Sequence, residues 1–434
     1  MRRAAAAGAA LALAILLAAT PAALARARWD TKVLALVPSP GFPAMAYVAP
    51  NGRIYEGTYD NPAGDAIHSR VFEYDGDGTL LRSWTIAGQD LSQPHGVQVA
   101  TSDSQGRLIL LDKSPPRALR LDRRTGAQSP YAGFPAGSIP NYGAWGPDGS
   151  LYVTDYGKPI IWRIPPGGGT PQQWLSDPRL DGGEFGTTGI ALMADRKTLL
   201  VATQSESGGG AGNPATGRLW KVPIDGGKAG EMEELWASRP VDGPDGFAIA
   251  KSGAVYIALL AANQIAEIGP DGSEKERFPQ APGTGENGSE VPFDSPSSAH
   301  FLGTSLIVAQ QSYFMGDPSH QAILDVEAGE PGLRELIPAN AGPIDNEKPR
   351  ITRIRFTGKR IRFTLSEKTK FFKAVARMRT PHGGRRHVSI RAHGYGPGRD
   401  SLPLKLTEGR WRVNIKARDA AGNRTRVRRT VRID

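Results

Sequence analysis

The sequence predicts an all-β protein: a six-bladed β-propeller followed by a small β-sandwich. Three observations carry this prediction. One strand–turn–strand phrase recurs six times, Gly (53) and Pro (35) are spread along all 434 residues, and apolar and polar residues alternate in the last part of the chain. At roughly 100–200 residues per domain, this length allows two to four domains. The Gly and Pro content exceeds the average of about 12% and is typical of turn-rich β proteins.

The chain contains no cysteine. This excludes disulfides, thiolate metal sites and a cysteine nucleophile. Any metal must therefore bind oxygen ligands or some of the seven histidines. Hydrophobic residues make up 39% of the chain and charged residues 22%, which leaves enough apolar material for a buried core.

Residues 1–25 have the pattern of a secretory signal peptide. A positively charged start, an Ala/Leu-rich run and the small-residue site Ala23-Leu24-Ala25 follow one another, as in such signals. Cleavage after Ala25 or after Ala27 fits equally well. The alternative is an uncleaved anchor, since residues 4–25 could just span a bilayer. We expect a secreted, extracytoplasmic protein with no transmembrane span in the mature chain.

Six copies of one phrase fill residues 29–338. Each copy has a small-residue start, a β-rich run, a tight turn such as Pro147-Asp148-Gly149 and a second β-rich run, after which a hairpin follows. One apolar anchor per copy gives spacings of 54, 43, 48, 56 and 51 residues; the anchors are Ile54, Leu108, Leu151, Leu199, Val255 and Leu306. Four short strands every 40–50 residues are the signature of a propeller blade.

A β-like run at residues 31–37 precedes the first copy. It could add the outer strand to the last blade and so close the ring, which removes exposed sheet edges. The alternative is an array of β-sandwiches, but such an array would not need the same four-strand unit six times.

Two phrases carry a family resemblance. Residues 147–155 (PDGSLYVTD) and 244–250 (PDGFAIA) resemble the gluconolactonase/regucalcin-like propeller family and the related NHL repeats. The resemblance covers the repeated region and implies a six-bladed propeller. It also implies a calcium-dependent lactonase or esterase, with Ca²⁺ at the mouth of the central channel. The family's usual ligands are a Glu that opens the first blade, an Asn and the Asp of a P-D-G motif.

Carried over residue by residue, the resemblance makes Asp245 and Asn141 the metal ligands. Asp245 matches the P-D-G aspartate, and Asn141-Tyr142-Gly143 matches an Asn-Asp-Gly with tyrosine in place of aspartate. Thr188 stands where Asn would supply a ligand, and Gly41-Phe42-Pro43 lacks the first-blade glutamate. Because calcium takes six to eight oxygens, waters or further carboxylates would have to complete the shell; candidates are Glu56, Asp60 and Glu184.

The residues that open the innermost strands should encircle the mouth, on the face with the long variable loops. Function concentrates on loops held by a rigid scaffold. These residues are Ala44, His95, Asn141, Tyr142, Thr188, Asp245 and Ser298. Asn141, Tyr142, Thr188 and Ser298 are candidates for binding a small-molecule ligand. His300 joins them because it lies two residues past Ser298, on the same side of a strand; the alternative is a buried histidine with satisfied hydrogen bonds.

Asp245 and His95 are the candidate catalytic residues. His95 could act as a general base or belong to a transition-metal site. The alternative for both residues is structural: they cap strand ends and hydrogen-bond neighbouring loops. The chain is therefore either an enzyme that hydrolyses a lactone or ester, or a non-catalytic propeller that binds a ligand or a surface after losing the metal site.

A Pro/Asn/Gly/Asp-rich linker at 339–349 leads to a second domain at 350–434. Its segments 351–356, 360–365, 371–378 and 410–418 alternate apolar and polar residues, which predicts an antiparallel sandwich. The run from Gly409 to Asn423, which ends in D-x-x-G-N, resembles the closing hairpin of bacterial Ig-like domains. We therefore expect a small Ig-like β-sandwich.

This second domain is strongly basic. Residues 349–434 hold 25 of the 53 Lys and Arg but only five of the 43 Asp and Glu, so the remainder of the chain is acidic. Such a potential attracts anions, and we expect an anionic cell-surface polymer as partner. Nucleic acid is not expected, because the chain has an export signal and no recognition motif. The alternative is an arginine-rich solvated surface without a dedicated partner.

Overall fold

The six sequence repeats fold as six antiparallel sheets, the blades of a propeller. The computed structural model describes residues 26–206, 216–341, 348–366, 369–380, 383–392, 398–419 and 424–433, so the predicted signal peptide lies outside them. Within these ranges the regular elements are strands and two 3-10 helices, Pro178–Leu180 and Pro318–His320. No helix in this part of the chain is long and apolar enough to cross a bilayer.

Strand β1 precedes the first complete blade and spans Thr31–Leu36. Each blade then runs outward from the channel through consecutive strands. Blade 1 comprises β2 (Pro43–Val48), β3 (Ile54–Thr58), β4 (Arg70–Tyr74) and β5 (Leu80–Thr85). Blade 2 comprises β6 (Val97–Ser102), β7 (Leu108–Asp112), β8 (Arg117–Leu121) and β9 (Gln128–Gly133). Blade 3 comprises β10 (Pro140–Trp145), β11 (Leu151–Asp155), β12 (Ile160–Ile164) and β13 (Gln172–Ser176).

The second half of the ring repeats this order with one extra strand. Blade 4 comprises β14 (Thr187–Leu192), β15 (Thr198–Thr203), β16 (Arg218–Asp225), the short β17 (Lys228–Ala229) and β18 (Glu233–Ala237). Blade 5 comprises β19 (Pro244–Ile249), β20 (Val255–Leu259), β21 (Gln264–Ile268) and β22 (Glu274–Phe278). Blade 6 comprises β23 (Pro296–Leu302), β24 (Ser305–Gln310), β25 (Ala322–Glu327) and, on its outer edge, β1.

Strand β1 closes the ring as predicted. It pairs antiparallel with β25, with Thr31 opposite Val326 and Lys32 opposite Asp325. The first and last parts of the repeated region therefore share one sheet, and β1 covers the edge that β25 would otherwise expose.

The innermost strands surround a central channel. Each of β2, β6, β10, β14, β19 and β23 contacts the innermost strands of both neighbouring blades. Strands such as β6 and β10 are buried along their whole length. Both of their faces are covered by neighbouring blades, which is why they are buried without the alternation of a half-exposed strand.

A segment after β25, residues 331–341, crosses the end of the channel where the innermost strands finish; we call it the strap. The amide of Lys251 donates to Pro331, and the amide of Leu333 donates to Ile249, both at the end of blade 5. Farther along, the Glu335 carboxylate accepts hydrogen bonds from Tyr47 and Thr101. The opposite end, where the innermost strands begin, remains as the mouth.

The C-terminal region forms two antiparallel sheets, which confirms the predicted sandwich. One sheet contains β26 (Ile351–Thr357), β27 (Arg360–Leu365) and β30 (Gly398–Pro403); the other has the order β29 (Arg385–Ala392), β28 (Thr369–Arg379), β31 (Gly409–Asp419) and β32 (Arg424–Ile433). Both sheets contribute to one apolar core, in which the Phe363 and Phe372 rings stack 4.3 Å apart. The relation to Ig-like domains stays a prediction, as do the domain boundaries; residues 420–423 of the predicted turn lie outside the described ranges.

Candidate functional site at the channel mouth

Backbone irregularities direct side chains into the mouth. In blades 1, 3, 4, 5 and 6 the pairing of the first two strands shifts register close to the start of the innermost strand. A bulge of this kind bends the strand and changes the direction of its side chains. The shifts fall between Pro140 and Gly143 and between Pro244 and Phe247, so they enclose Asn141, Tyr142 and Asp245.

A cavity of about 180 Å³ lies at this end of the channel. Of the predicted site residues, Asn141, Tyr142 and Asp245 line it, together with Ala44 and with Asp60 and Glu184, two of the three carboxylates named as further calcium ligands. Every blade also contributes the residue that directly follows its second strand; these residues are Tyr59, Lys113, Tyr156, Gln204, Leu260 and Gln311. This ring of residues was not predicted from the sequence, although each member occupies the same position in its repeat.

Asp245 is a buried carboxyl group among neutral hydrogen-bond donors. The Tyr142 hydroxyl interacts with its side chain, and the Gln204 amide nitrogen lies 3.4 Å from its Oδ2. Burial raises the pKa of Asp245 well above its usual range, and hydrogen bonds from Tyr142 and the Gly246 amide offset part of that rise. The Gln204 Oε1 accepts a hydrogen bond of 2.6 Å from Tyr156, so the amide is held in one orientation.

Tyr142 spans the channel and forms the floor of the cavity. Its hydroxyl, which comes from blade 3, donates a hydrogen bond of 2.7 Å to the Ser297 carbonyl of blade 6. The same hydroxyl lies 3.5 Å from the Ala44 carbonyl of blade 1. Burial raises the pKa of Tyr142 well above its usual value, so the phenol stays protonated and remains a donor.

The polar side chains in the wall and at the rim of the cavity already form hydrogen bonds or ion pairs with one another. The Asn141 Oδ1 accepts a hydrogen bond of 2.9 Å from Gln98. The Lys113 ammonium is 2.9 Å from the Asp60 carboxylate and 4.1 Å from the centre of the Tyr59 ring. The one cation of the lining is therefore neutralised by its neighbours.

Three predicted ligand-binding residues are held in other contacts. The Thr188 hydroxyl donates to the Asp245 carbonyl at 3.3 Å, and the Ser298 hydroxyl accepts from the Ala46 amide at 3.1 Å. These bonds join neighbouring blades. The His300 Nδ1 is 2.8 Å from the Ala46 carbonyl and its ring packs edge-on against Tyr47 beside the strap; burial lowers its pKa. At Nδ1, His300 thus fits the structural alternative, and the residue is half-buried.

His95 does not reach the cavity. Its side chain is fully buried, with Nδ1 3.0 Å from the Gln93 carbonyl and Nε2 2.9 Å from the Ile67 carbonyl. Both ring nitrogens thus contact backbone, and the ring connects two loops near the mouth. This geometry fits the structural alternative rather than a general base.

The residues present do not fit a calcium ion. Asp245 and Asn141 meet at the cavity as predicted, but the Asn141 oxygen is occupied by Gln98 and the Thr188 hydroxyl points to carbonyls. Glu56 lies within β3 rather than in a loop and is buried outside the lining. Asp60 and Glu184 do line the cavity, but Asp60 is paired with the Lys113 ammonium. Among the described residues, no three His, Asp or Glu side chains are grouped as a metal site. Calcium needs six to eight oxygens, several of them anionic.

Comparisons with known proteins found solved structures that are similar to this chain. No protein-family model and no curated protein matches the sequence. Similar solved structures include virginiamycin B lyase from Staphylococcus aureus (17% identity, 67% of this chain and 82% of that chain, TM-score 0.45). Regucalcin from Agrobacterium tumefaciens is also similar (15% identity, 71% and 98% coverage, TM-score 0.46). So is a gluconolactonase from Xanthomonas campestris (17% identity, 70% and 99% coverage, TM-score 0.44).

The six-bladed propeller that the resemblance implies is confirmed by the six sheets of the structure itself. At these identities the similarity concerns the fold alone, and the chemistry of the mouth has to be argued from this chain's own residues.

Proposed function

We propose that the mouth binds a small neutral molecule and hydrolyses a lactone or ester bond in it, with Asp245 as the general base and without a metal. The observation that carries the proposal is the buried Asp245 carboxyl group at the floor of a tyrosine-lined cavity, surrounded by neutral donors. Carboxyl groups with burial-raised pKa values in a cleft are typical of functional sites.

The lining favours a neutral, compact ligand. Tyr59, Tyr142 and Tyr156 offer ring faces for apolar contact and hydroxyls for hydrogen bonds. The Lys113 charge is already paired with Asp60, so an anionic ligand would displace an existing ion pair. A lactone or small ester combines apolar ring atoms with carbonyl and hydroxyl oxygens, which matches this lining.

The chemistry follows from the ionisation of Asp245. As a carboxylate, it removes a proton from a water molecule, and the hydroxide attacks the carbonyl carbon of the ligand. The tetrahedral intermediate then breaks its bond to the leaving oxygen, which takes the proton back from the Asp245 carboxyl group. A base with a raised pKa binds the proton more strongly, which favours the first transfer.

Asp245→Asn tests the proposal because it keeps the shape and removes the base. We expect hydrolysis of a panel of lactones and aryl esters, measured with a chelator present, to fall at least 100-fold in the variant. Ligand affinity, measured by calorimetry with a non-hydrolysable cyclic ether analogue, should change by only a few-fold. Undiminished hydrolysis in the variant would rule Asp245 out as the base.

A non-catalytic binding propeller is the second candidate. It is favoured by His95, whose two ring nitrogens are both held by backbone carbonyls, so that the second predicted catalytic residue is absent from the lining. Ligand binding in the wild type without turnover of any lactone or ester would support this candidate. Heat on adding calcium to the wild type, lost in Asp245→Ala, would instead support the calcium site that the resemblance implies.

Export and surface retention complete the proposed function. The N-terminal pattern of residues 1–25 supports secretion, and the excess of Lys and Arg in the C-terminal domain supports contact with an anionic polymer at the cell surface. Fractionation of cells that express the full chain, with N-terminal sequencing of the exported form, tests this part. Retention of residues 1–25 in the exported form would contradict it.

A further inference from the structure

One face of the C-terminal sandwich is almost entirely cationic. In the sheet β29-β28-β31-β32, one set of alternate residues enters the core and the other set faces outward. The outward set contains Lys373, Arg377, Arg379, Arg385, His387, Arg391, Arg410, Arg412, Lys416, Arg418, Arg424, Arg426, Arg428 and Arg432. No acidic side chain belongs to this set in the paired parts of the four strands. We call this surface the basic face.

Cations lie directly opposite one another on the basic face. Lys373 is paired in register with Arg391 on one side and with Lys416 on the other, and Lys416 is paired with Arg426. Arg377 lies opposite Arg412. Like charges at facing positions of an antiparallel pair destabilise the sheet. This arrangement does not stabilise the domain in the absence of a ligand, whereas a bound polyanion would remove the repulsion between the facing cations.

Five of these cations lack carboxylate partners in the described part of the chain. Many arginines of the propeller pair with Asp or Glu, as Arg277 does with Asp242. For Lys373, Arg377, Arg412, Lys416 and Arg428, no ion pair forms among the described residues. Their charges are therefore available to an external anion.

The spacing of the charges matches an extended polymer. Residues two apart on a strand are about 6.7 Å apart, and neighbouring strands are about 4.8 Å apart. The cations along β31 and β32 are thus spaced by about the length of one monomer of a linear polymer. Four strands side by side form a surface wider than the roughly 12 Å major groove, so duplex DNA is not the ligand that this shape suits.

Side-chain chemistry distinguishes between classes of anion. Arginine dominates the face, and its planar fork donates two hydrogen bonds to phosphate oxygens. Among the described residues of the face, the rings are the His387 imidazole and Phe371, over which the Arg391 guanidinium lies at 5.6 Å. The face therefore has no tyrosine or tryptophan ring on which a base or sugar could stack. No strongly exposed large apolar residue lies in this domain's described residues, so an apolar anchor for a bilayer is missing too.

We propose that the basic face binds a linear phosphodiester polyanion, such as a polyol-phosphate polymer of a cell wall. The inference rests on the proposed export but not on the proposed hydrolysis. It names the face that makes the surface contact and the anion that this face takes.

The test compares two triple variants of the full chain. Arg412→Gln, Lys416→Gln and Arg428→Gln together remove three charges from the basic face. Arg355→Gln, Arg362→Gln and Arg399→Gln together remove three exposed charges from the other sheet and serve as the matched control. Binding of purified polyglycerol phosphate is measured at several salt concentrations. If the triple variant does not fold, the single variant Lys416→Gln replaces it. We expect this single variant to lose affinity for polyglycerol phosphate in the same direction but by a smaller factor.

We expect the face variant to bind polyglycerol phosphate at least tenfold more weakly at low salt, and the control within about twofold of wild type. The slope of log K against log salt should fall by about 2 in the face variant, since each phosphate contact contributes roughly 0.7 for a single chain. The face variant should also melt at a higher temperature, because repulsion is removed.

Any of four results would overturn the proposal. The two triple variants could lose equal affinity for polyglycerol phosphate, or the wild type could fail to bind this polymer at low salt. The wild type could also bind polygalacturonate of matched charge, or phosphatidylglycerol vesicles, as tightly as polyglycerol phosphate. Each is distinguishable from failure of the hydrolysis proposal, since lactone turnover at the mouth is measured on the same variants and should not change.

Discussion

The Tyr142 hydroxyl and the Ser297 carbonyl are joined by a hydrogen bond of 2.7 Å that crosses the channel from blade 3 to blade 6. Both groups are buried. The bond connects opposite sides of the ring directly, whereas most contacts in the propeller join neighbouring blades. It also fixes the hydroxyl that lowers the pKa of Asp245. The stability of the ring and the protonation of the proposed base therefore depend on one phenol.

Tyr142→Phe should destabilise the protein and shift the proposed reaction to higher pH. Leaving a buried carbonyl without its donor costs about 1–3 kcal/mol, measured from urea unfolding. The variant also removes the hydroxyl that lowers the pKa of Asp245, so the base should ionise at higher pH. Tyr313→Phe is the matched control, because Tyr313 is 44% exposed and should change the unfolding free energy by less than about 0.5 kcal/mol. Equal effects of the two variants would contradict the channel-crossing role.

Gly246, the glycine of the second P-D-G phrase, has no room for a side chain. A Cβ there would lie 2.4 Å from the Tyr142 hydroxyl, 2.8 Å from the Ser297 carbonyl oxygen and 2.9 Å from the Ser298 Cα. Gly246→Ala should therefore cost about 1–3 kcal/mol of unfolding free energy, as overpacking does. Gly133→Ala is the control, because a Cβ there meets nothing within 4 Å. A stable Gly246→Ala variant with an unchanged melting temperature would show that the floor of the cavity can move.

The fold was predictable because its signals are local and repeated. Each blade has its own tight turn, and one turn of this kind, Pro147-Asp148-Gly149, suffices to define a hairpin. The closing role of β1 followed from a β-like run left over before the first copy. The strap was not predictable in the same way. Residues 331–341 have no periodicity, and their partners, such as Tyr47 and Thr101 for Glu335, are more than 200 residues away in the chain.

The site was predictable only in part. Asn141, Tyr142 and Asp245 were found from the openings of the innermost strands, but period-two alternation does not reveal the bulges that direct them into the cavity. His95 was selected for its chemistry, yet backbone carbonyls contact both of its nitrogens, which no sequence pattern shows. The ring of residues after the second strands, Tyr156 among them, required counting positions within each repeat rather than reading residue types.

Trp29 should be essential for ring closure although it precedes β1. Its ring is 8% exposed, stacks 5.2 Å from Phe278 of blade 5 and packs edge-on against Tyr256. Trp29→Ala should lower the unfolding free energy by about 3–5 kcal/mol and expose β1 to limited proteolysis. Leu36→Ala is the control on the same segment, because Leu36 is 56% exposed and should change stability by less than about 0.5 kcal/mol. Equal proteolysis of the two variants would mean that β1 alone holds the ring closed.

Glu335 should make the strap sensitive to pH. Its carboxylate accepts hydrogen bonds of 3.0 Å from Tyr47 and 2.6 Å from Thr101, and burial raises its pKa from 4.5 to about 7. The folded protein therefore holds a proton that the unfolded chain releases between about pH 4.5 and 7, and wild-type stability falls as pH rises through this window. Glu335→Gln imitates the protonated form and should escape that loss.

The difference between Glu335→Gln and wild type gives the size of this effect. At pH 8 the variant should be more stable by about 1 kcal/mol, less than the full shift implies because part of Glu335 is exposed to solvent. At pH 4.5 the two unfolding free energies should nearly coincide. Glu233→Gln, at an exposed position of β18, is the control and should match wild type within about 0.5 kcal/mol at both pH values. A constant difference between Glu335→Gln and wild type across the window would mean that the carboxyl group is not buried by the strap.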